Sequence, residues 1–153
     1  MTTALKTLDW KTLLLSPRGR IGRMVFWAGF GVVMAASLVL NFVPFIGGVA
    51  GLVLLWPLVC LQAKRLHDAG RTAGLILLPA VVIALALARA VMAGAIGSTA
   101  VGVVFDTDRG PVMWILALAG LFALGFLVWV GLSRGERGSN RYGPEPVREA
   151  AAA

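Results

Sequence analysis

Lys64-Arg65-Leu66-His67-Asp68-Ala69-Gly70-Arg71 holds the only charged side chains, and the only histidine, between Arg23 and Arg89. On both sides of this octet the chain is apolar and compatible with helix. From Met24 to Ala63, forty residues pass without a charge. As one helix that run would be about 60 Å long. The hydrocarbon core of a bilayer is about 30 Å thick. The run therefore crosses twice, and Asn41, Pro44, Gly47 and Gly48 mark the turn between the crossings. The octet is then the loop, or interfacial turn, of a chain whose solvent is lipid.

Working outward from the octet gives four spans, near 24–42, 46–63, 73–89 and 112–132. Pro57 and Pro79 fall inside the second and third, where neighbouring helices tolerate a kink. Ala90 to Phe105 is apolar but rich in Gly and Ala, with Ser98 and Thr99 at its centre. It reads as a helical extension and loop on the far side, with a re-entrant segment as the alternative. Asp106, Asp108, Arg109, Gly110 and Pro111 make a polar turn before the last span. Ahead of the spans, residues 1–19 form an N-terminal segment in which Thr3–Leu15 is a short amphipathic helix. Leu5, Leu8, Thr12 and Leu15 share one face, Trp10 suits the headgroup region, and Ser16-Pro17 ends it. This piece is expected to lie on the membrane surface. Residues 20–146 form the four-helix domain, and 147–153 a disordered tail.

The fold class is accordingly an all-α polytopic membrane protein, with four transmembrane helices and a short amphipathic N-terminal interfacial helix. Composition agrees. The 153 residues are 59% hydrophobic and 14% charged, against about 25% charged in a soluble domain. Mean hydropathy is +0.88. A net charge of +7 suits nucleic acid in some proteins, but here the cations flank the spans. Twelve of fourteen lie before span one, in the octet or after span four; only Arg89 and Arg109 lie on the other side. The positive-inside bias puts the octet and both termini in the cytoplasm and excludes a fifth crossing through Ala90–Phe105. A cleavable signal peptide is not expected, because the first apolar run begins at Met24 and outlasts any signal core. One cysteine, Cys60, and one histidine cannot build a metal cage, so no metal or cofactor is expected. Small-residue pairs at Gly31/Ala35, Gly47/Gly51 and Ala119/Ala123 suggest a close-packed bundle.

Three polar segments are candidates for chemistry. In the octet, continuation of the helix would set Lys64 four residues from Asp68, His67 four from Arg71, and Arg65 three from Asp68, all spacings at which helical neighbours pair. His67 is the one group that titrates near neutral pH. The bland alternative is a loop in which Asp68 offsets local cations and Gly70 makes the turn. Arg18-Gly-Arg-Ile-Gly-Arg23, followed by Phe26 and Trp27, can hold lipid phosphates or an acidic partner, or simply anchor the first span. It is no phosphate-binding loop, since no Gly-Lys-Ser/Thr follows. Ser139 to Pro146 carries the turn residues Asn140, Gly143 and Pro144 and is either a rigid fold-back or a solvated tail.

Read together, these segments resemble the bacterial inner-membrane family called domain of unknown function 805. The resemblance rests on Arg20, Arg23, Phe26 and Trp27, then Arg65, Leu66, His67 and Asp68, then Asn140, Arg141, Tyr142, Gly143 and Pro146. It covers about Ser16 to Pro146. Thr72-Ala73-Gly74-Leu75 departs from the Ser-Gly-Trp that often follows the His-Asp pair in the family. The resemblance implies a small polytopic inner-membrane protein and brings no activity with it. It also implies that Arg20, Arg23, Trp27, Arg65, His67, Asp68, Arg71, Asn140, Arg141, Tyr142 and Gly143 assemble into one cytoplasmic-face cluster. Arg20 and Arg23 should lie near Asp68, and the Asn140–Pro146 turn should cover His67.

Three functions remain to be weighed. The first is a non-enzymatic scaffold, partner subunit or lipid-interacting module, with anionic headgroups, a membrane-protein partner or a second copy as its contacts. The second is an oligomeric transporter or channel component. Ion-coupled transport by a monomer is disfavoured because the spans carry no charge except Arg89 at an edge, which leaves a pore in an oligomer open. The third is an interfacial enzyme using His67 and Asp68, for which the sequence offers no nucleophile or metal.

Overall fold

A computed structural model describes residues 10–42, 46–92 and 110–146. They form five α-helices: α1 Trp10–Leu15, α2 Arg23–Asn41, α3 Ile46–Asp68, α4 Leu77–Met92 and α5 Gly110–Leu132. A 3-10 turn over Ala73–Ile76 leads into α4. No strand occurs among the described residues. Three stretches are long and apolar enough to cross a membrane: Arg23–Leu40, Ala73–Met92 and Pro111–Leu132, with mean hydropathies of 1.8, 2.5 and 2.5. Their outer faces are apolar too. Leu38, Leu77, Trp114 and Leu121 are each more than 60% exposed. A continuous apolar exterior of this kind is stable in hydrocarbon and a liability in water.

The described residues divide into two compact units. One holds the chain up to Ala73 and the part from Val130 onward; the other runs from Gly74 to Trp129. In the first unit α2 packs along α3. Phe26, Val33, Cys60, Leu61 and Leu66 are buried there. Gly29 permits the approach, because a β-carbon on it would lie 2.9 Å from Leu61 Cδ2. The expected small-residue contacts at Gly31 and Gly51 are not made: open space surrounds both positions. The close contact falls on the face of α2 that carries Phe26 and Val33, and Gly29 lies on it at helical spacing.

Helix α1 also packs on α3. Leu13 is the residue it buries, while Leu15, 61% exposed, and Thr12, also exposed, lie on the face away from α3. Residues 3–9, including Leu5 and Leu8, lie outside the described part. So do Pro44, the Ala93–Arg109 connection with its helix, loop or re-entrant alternatives, and the 147–153 tail. Helix α4 continues three residues past the expected end at Arg89, to Met92. Pro79 sits in the first turn of α4, where proline is tolerated without a break. Among the described prolines, Pro57 lies deep in a helix, inside α3.

Candidate functional site

Helix α3 does not stop at Ala63. It carries Lys64 to Asp68 as its last turn, so the octet is a helix end followed by a cap rather than a loop throughout. Gly70 takes φ +70°. Its N–H donates to the His67 carbonyl at 3.1 Å, and the Arg71 N–H donates to the Leu66 carbonyl at 2.8 Å. This is the paired geometry of a Schellman cap, which needs a residue at ease in the left-handed region. Of the helical pairings the octet allowed, the one between Arg65 and Asp68 forms: Arg65 Nη1 donates to Asp68 Oδ2. Lys64 turns the other way. Its Nζ donates to the carbonyls of Thr12 and, at 2.9 Å, of Leu13. Trp56 Nε1 donates to the Leu15 carbonyl at 3.0 Å. A cation and an indole N–H thus satisfy the orphan carbonyls at the end of α1, where positive charge is favourable.

Asp68 is the centre of the site. Its side chain is 6% exposed and that of Arg20 is 1% exposed. Arg20 Nε and Nη2 donate to Asp68 Oδ1 at 3.2 and 3.1 Å. The rest of the Arg20 fork holds backbone carbonyls after α5: Glu136 at 2.6 Å, Gly138 at 2.7 Å and Gly143 at 3.3 Å. Arg65 donates to the carbonyls of Ile21, at 3.3 Å, and Ser133. Its Nε is buried without a partner among the described residues. Burial works against the Arg65 charge and pulls its pKa down, while the Asp68 carboxylate acts in the opposite direction. Two guanidinium groups, one carboxylate and five carbonyls therefore join three chain segments: 20–21 before α2, the end of α3, and 133–143 after α5. The planar fork of arginine suits this many acceptors at once.

The strand-like return after α5 comes close enough to need glycine. A β-carbon on Gly135 would lie 2.9 Å from Asp68 Cγ and closer still to its Oδ2. The next residue, Glu136, donates its N–H to the Asp68 carbonyl at 2.7 Å. Asn140 and Gly143 then exchange backbone hydrogen bonds at 3.1 and 3.0 Å, closing a tight turn in which Gly143 takes φ +139°. Asn140 Oδ1 accepts from the Tyr142 N–H, and Asn140 Nδ2 donates to the His67 carbonyl, both at 3.0 Å. The turn so built lays the Tyr142 ring flat on the His67 ring, with centroids 3.8 Å apart and planes 9° from parallel. Arg141 Cζ lies 4.7 Å from the Tyr142 centroid, within cation–π range. His67 Nδ1 meets the Gly19 carbonyl at 3.3 Å. Burial lowers the His67 pKa from its usual value; the Gly19 carbonyl opposes this and Arg141 adds to it.

Of the residues singled out from sequence, Arg20, Arg65, His67, Asp68, Asn140, Arg141, Tyr142 and Gly143 come together in this way. Three stand apart. Arg23 donates to the Ser133 carbonyl at 3.3 Å, the same carbonyl that takes Arg65, rather than to Asp68. Trp27 packs edge-on against Phe26 and Phe30 at 5.3 and 5.8 Å and lies against Gly131, so it belongs to the apolar helix contact. Arg71 is exposed beyond the Gly70 cap. Sequence reasoning missed Gly19, Gly135 and Glu136, and it missed the carbonyls entirely. The one available signal was a glycine placed three residues after the last apolar span. Among the described residues no three His, Cys, Asp or Glu side chains lie close enough to hold a metal. Chemically, both Asp68 oxygens accept from guanidinium donors, which holds the carboxylate in a structural ion cluster.

The family model described as "Protein of unknown function (DUF805)" matches residues 14–144. No curated protein and no solved structure matches the chain.

Proposed function

We propose a function from the premise that this chain belongs to the DUF805 family, whose description assigns no activity and leaves the residues to speak. It is a small integral protein of the bacterial inner membrane that performs no chemistry and serves as a lipid-interacting scaffold or partner subunit. Four helices cross the bilayer. Three are the apolar stretches described above, and α3 is the fourth, its 23 residues rising about 35 Å. The octet and both termini face the cytoplasm, as the distribution of cations requires. Helix α1 lies in the interface.

One observation carries the reading. The polar residues that mark this chain are spent on one another and on its own backbone, in the Arg20–Asp68–Arg65 clamp. An enzyme would keep His67 and Asp68 open to a substrate. A transporter would carry polar groups along its helices. The open groove between α4 and α5, about 370 Å³, is lined only by Val82, Leu85, Ala86, Ile115, Leu118 and Ala119.

Proteoliposome flux assays should be silent for ions and small solutes. Native discs cut from membranes with a styrene–maleic acid polymer should carry the protein together with enriched anionic lipid. Sustained solute flux would overturn the reading. So would a turnover lost in His67→Ala protein that keeps its fold.

A further inference from the structure

We infer that α1 is a wedge in the cytoplasmic leaflet, its C-terminal end sunk beside α3 among the acyl chains, so that lipid tails are the partner of its outer face. The inference rests on the membrane reading above and gives the interfacial helix a depth.

Three bonds fix α1 along α3. Lys64 Nζ donates to the carbonyls of Thr12 and Leu13, and Trp56 Nε1 donates to that of Leu15. A few residues later the Gly19 carbonyl meets His67 Nδ1, and Arg20 holds Asp68. The chain therefore descends along α3 through α1, from the level of Lys64 to that of Trp56. It then climbs back to His67 over residues 16–19. The climb fits the length of chain. Trp56 and His67 are eleven residues apart, about 16 Å on a helix. Four extended residues span about 14 Å, and the side chains supply the rest. Residues 16–22 contain no helix, as an extended return requires.

The depth of Trp56 follows from the other elements of the same unit. Helix α2 runs antiparallel to α3, since the Ile21 carbonyl meets Arg65 while Gly29 lies against Leu61. Exposed apolar side chains begin at Met24 on α2 and last to Leu132 at the end of α5. Just beyond Leu132, the Ser133 carbonyl takes both Arg23 and Arg65. The hydrocarbon edge thus lies near Arg65. Trp56 stands nine residues inside it, about 13 Å along the helix, close to the middle of a core about 30 Å thick. Side chains of a helix lean toward its N-terminus, which for α3 is inward, so Trp56 does not lift its bond to the surface.

The chemistry suits that depth. A helix end at the surface leaves its last carbonyls to water; in hydrocarbon they must be paired within the protein. Three of the last four carbonyls of α1 accept from Lys64 or Trp56. Lys64 is itself buried, a costly place for an ammonium group that lacks such acceptors. Leu15, Trp56 and Leu52, the last one helical turn deeper than Trp56, are all exposed. Acyl chains cover an apolar patch of this kind and headgroups do not. Trp10, at the upper end of α1, lies up to about 8 Å nearer the surface than Leu15, where an indole is at home. The helix takes area from one leaflet only.

Spin labels on single cysteines test the depth, read from collisions with oxygen and with a water-soluble nickel chelate. The full chain carries Cys60→Ala, which removes its one cysteine, with Leu15→Cys, Arg18→Cys or Val53→Cys, all at exposed positions. It is reconstituted in vesicles of phosphatidylethanolamine and phosphatidylglycerol. The label at 15 should lie in hydrocarbon, at least about 8 Å deeper than the label at 18. Equal depth at the two positions, or free access of nickel to position 15, would mean a helix lying flat on the surface and would overturn the wedge. If a label at 15 disturbs the Trp56 contact, Ser16→Cys reads the same descent with the same two outcomes. A label at 53 that meets nickel as freely as one in water would instead sink the membrane reading on which the wedge rests.

Discussion

Gly135 lies against the carboxylate of Asp68 with no room for a methyl group: a β-carbon there would come within 2.9 Å of Asp68 Cγ. The buried ion cluster is therefore sealed by backbone and not by a side chain. Gly135→Ala should push the carboxylate off its two guanidinium partners. We expect a loss of about 1–3 kcal/mol, the usual cost of overpacking, read as a lower midpoint of unfolding in detergent. A midpoint equal to wild type would show that the segment after α5 can step aside freely.

Within the cluster the acid matters more than either base. Asp68→Asn leaves Arg20 and Arg65 buried together without a counter-charge and should cost about 3–5 kcal/mol. Arg20→Met leaves Asp68 still paired with Arg65 and frees carbonyls that water can serve, so it should cost less. Chemical denaturation of both proteins in the same detergent checks the order. Limited proteolysis checks its consequence, since both variants should expose the 133–143 segment to cleavage.

The His67–Tyr142 stack gives a pH dependence of defined sign. Burial holds the native His67 pKa below the unfolded value, which is about 6.5. Between the two values the unfolded chain binds more protons than the native one, so stability falls as pH falls. The full contribution is present above about pH 6.5 and is lost as pH drops through the native pKa. In zwitterionic detergent, Tyr142→Ala should raise the native pKa by opening the ring to water. It should also flatten the pH dependence of unfolding. The imidazole titration and melts at several pH values measure the two effects separately.

Helix α1 is held at its C-terminal end by Lys64 and Trp56. Lys64→Met should release it while leaving the Asp68 cluster intact. Amide exchange should quicken over Trp10–Leu15, by an amount corresponding to about 1–2 kcal/mol for the lost charge-assisted bonds. Exchange at Glu136, whose N–H is held by the Asp68 carbonyl, should not change.

Much of this arrangement can be read in the residues, for reasons that differ by scale. Apolar runs longer than a bilayer is thick announce crossing helices, and three of them are present as such. The i, i+3 spacing of Arg65 and Asp68 contains their pairing. Lys64 and Asp68 have a spacing just as good, yet Lys64 serves α1, because the carbonyls ending a short helix offer acceptors that a residue pattern cannot display. The same blindness hides Ser133, Glu136, Gly138 and Gly143 as guanidinium acceptors: a carbonyl is common to every residue. Arg23 looks equivalent to Arg20 in sequence, but it opens α2 as its first residue and is directed to Ser133. Arg20, three residues earlier in an extended segment, is free to reach Asp68.

The clamp also orders events in time. Arg20 and its Glu136 acceptor are 116 residues apart, which at a ribosome's pace is roughly ten seconds of synthesis. Through that interval Arg20 has Asp68 for a partner, at best, and Arg65 lacks the Ser133 carbonyl. The final set of bonds closes only when the stretch after α5 has emerged. A chain halted before that stretch would present unfilled guanidinium donors at the membrane surface, an unmistakable mark of unfinished manufacture for any protease that inspects nascent proteins.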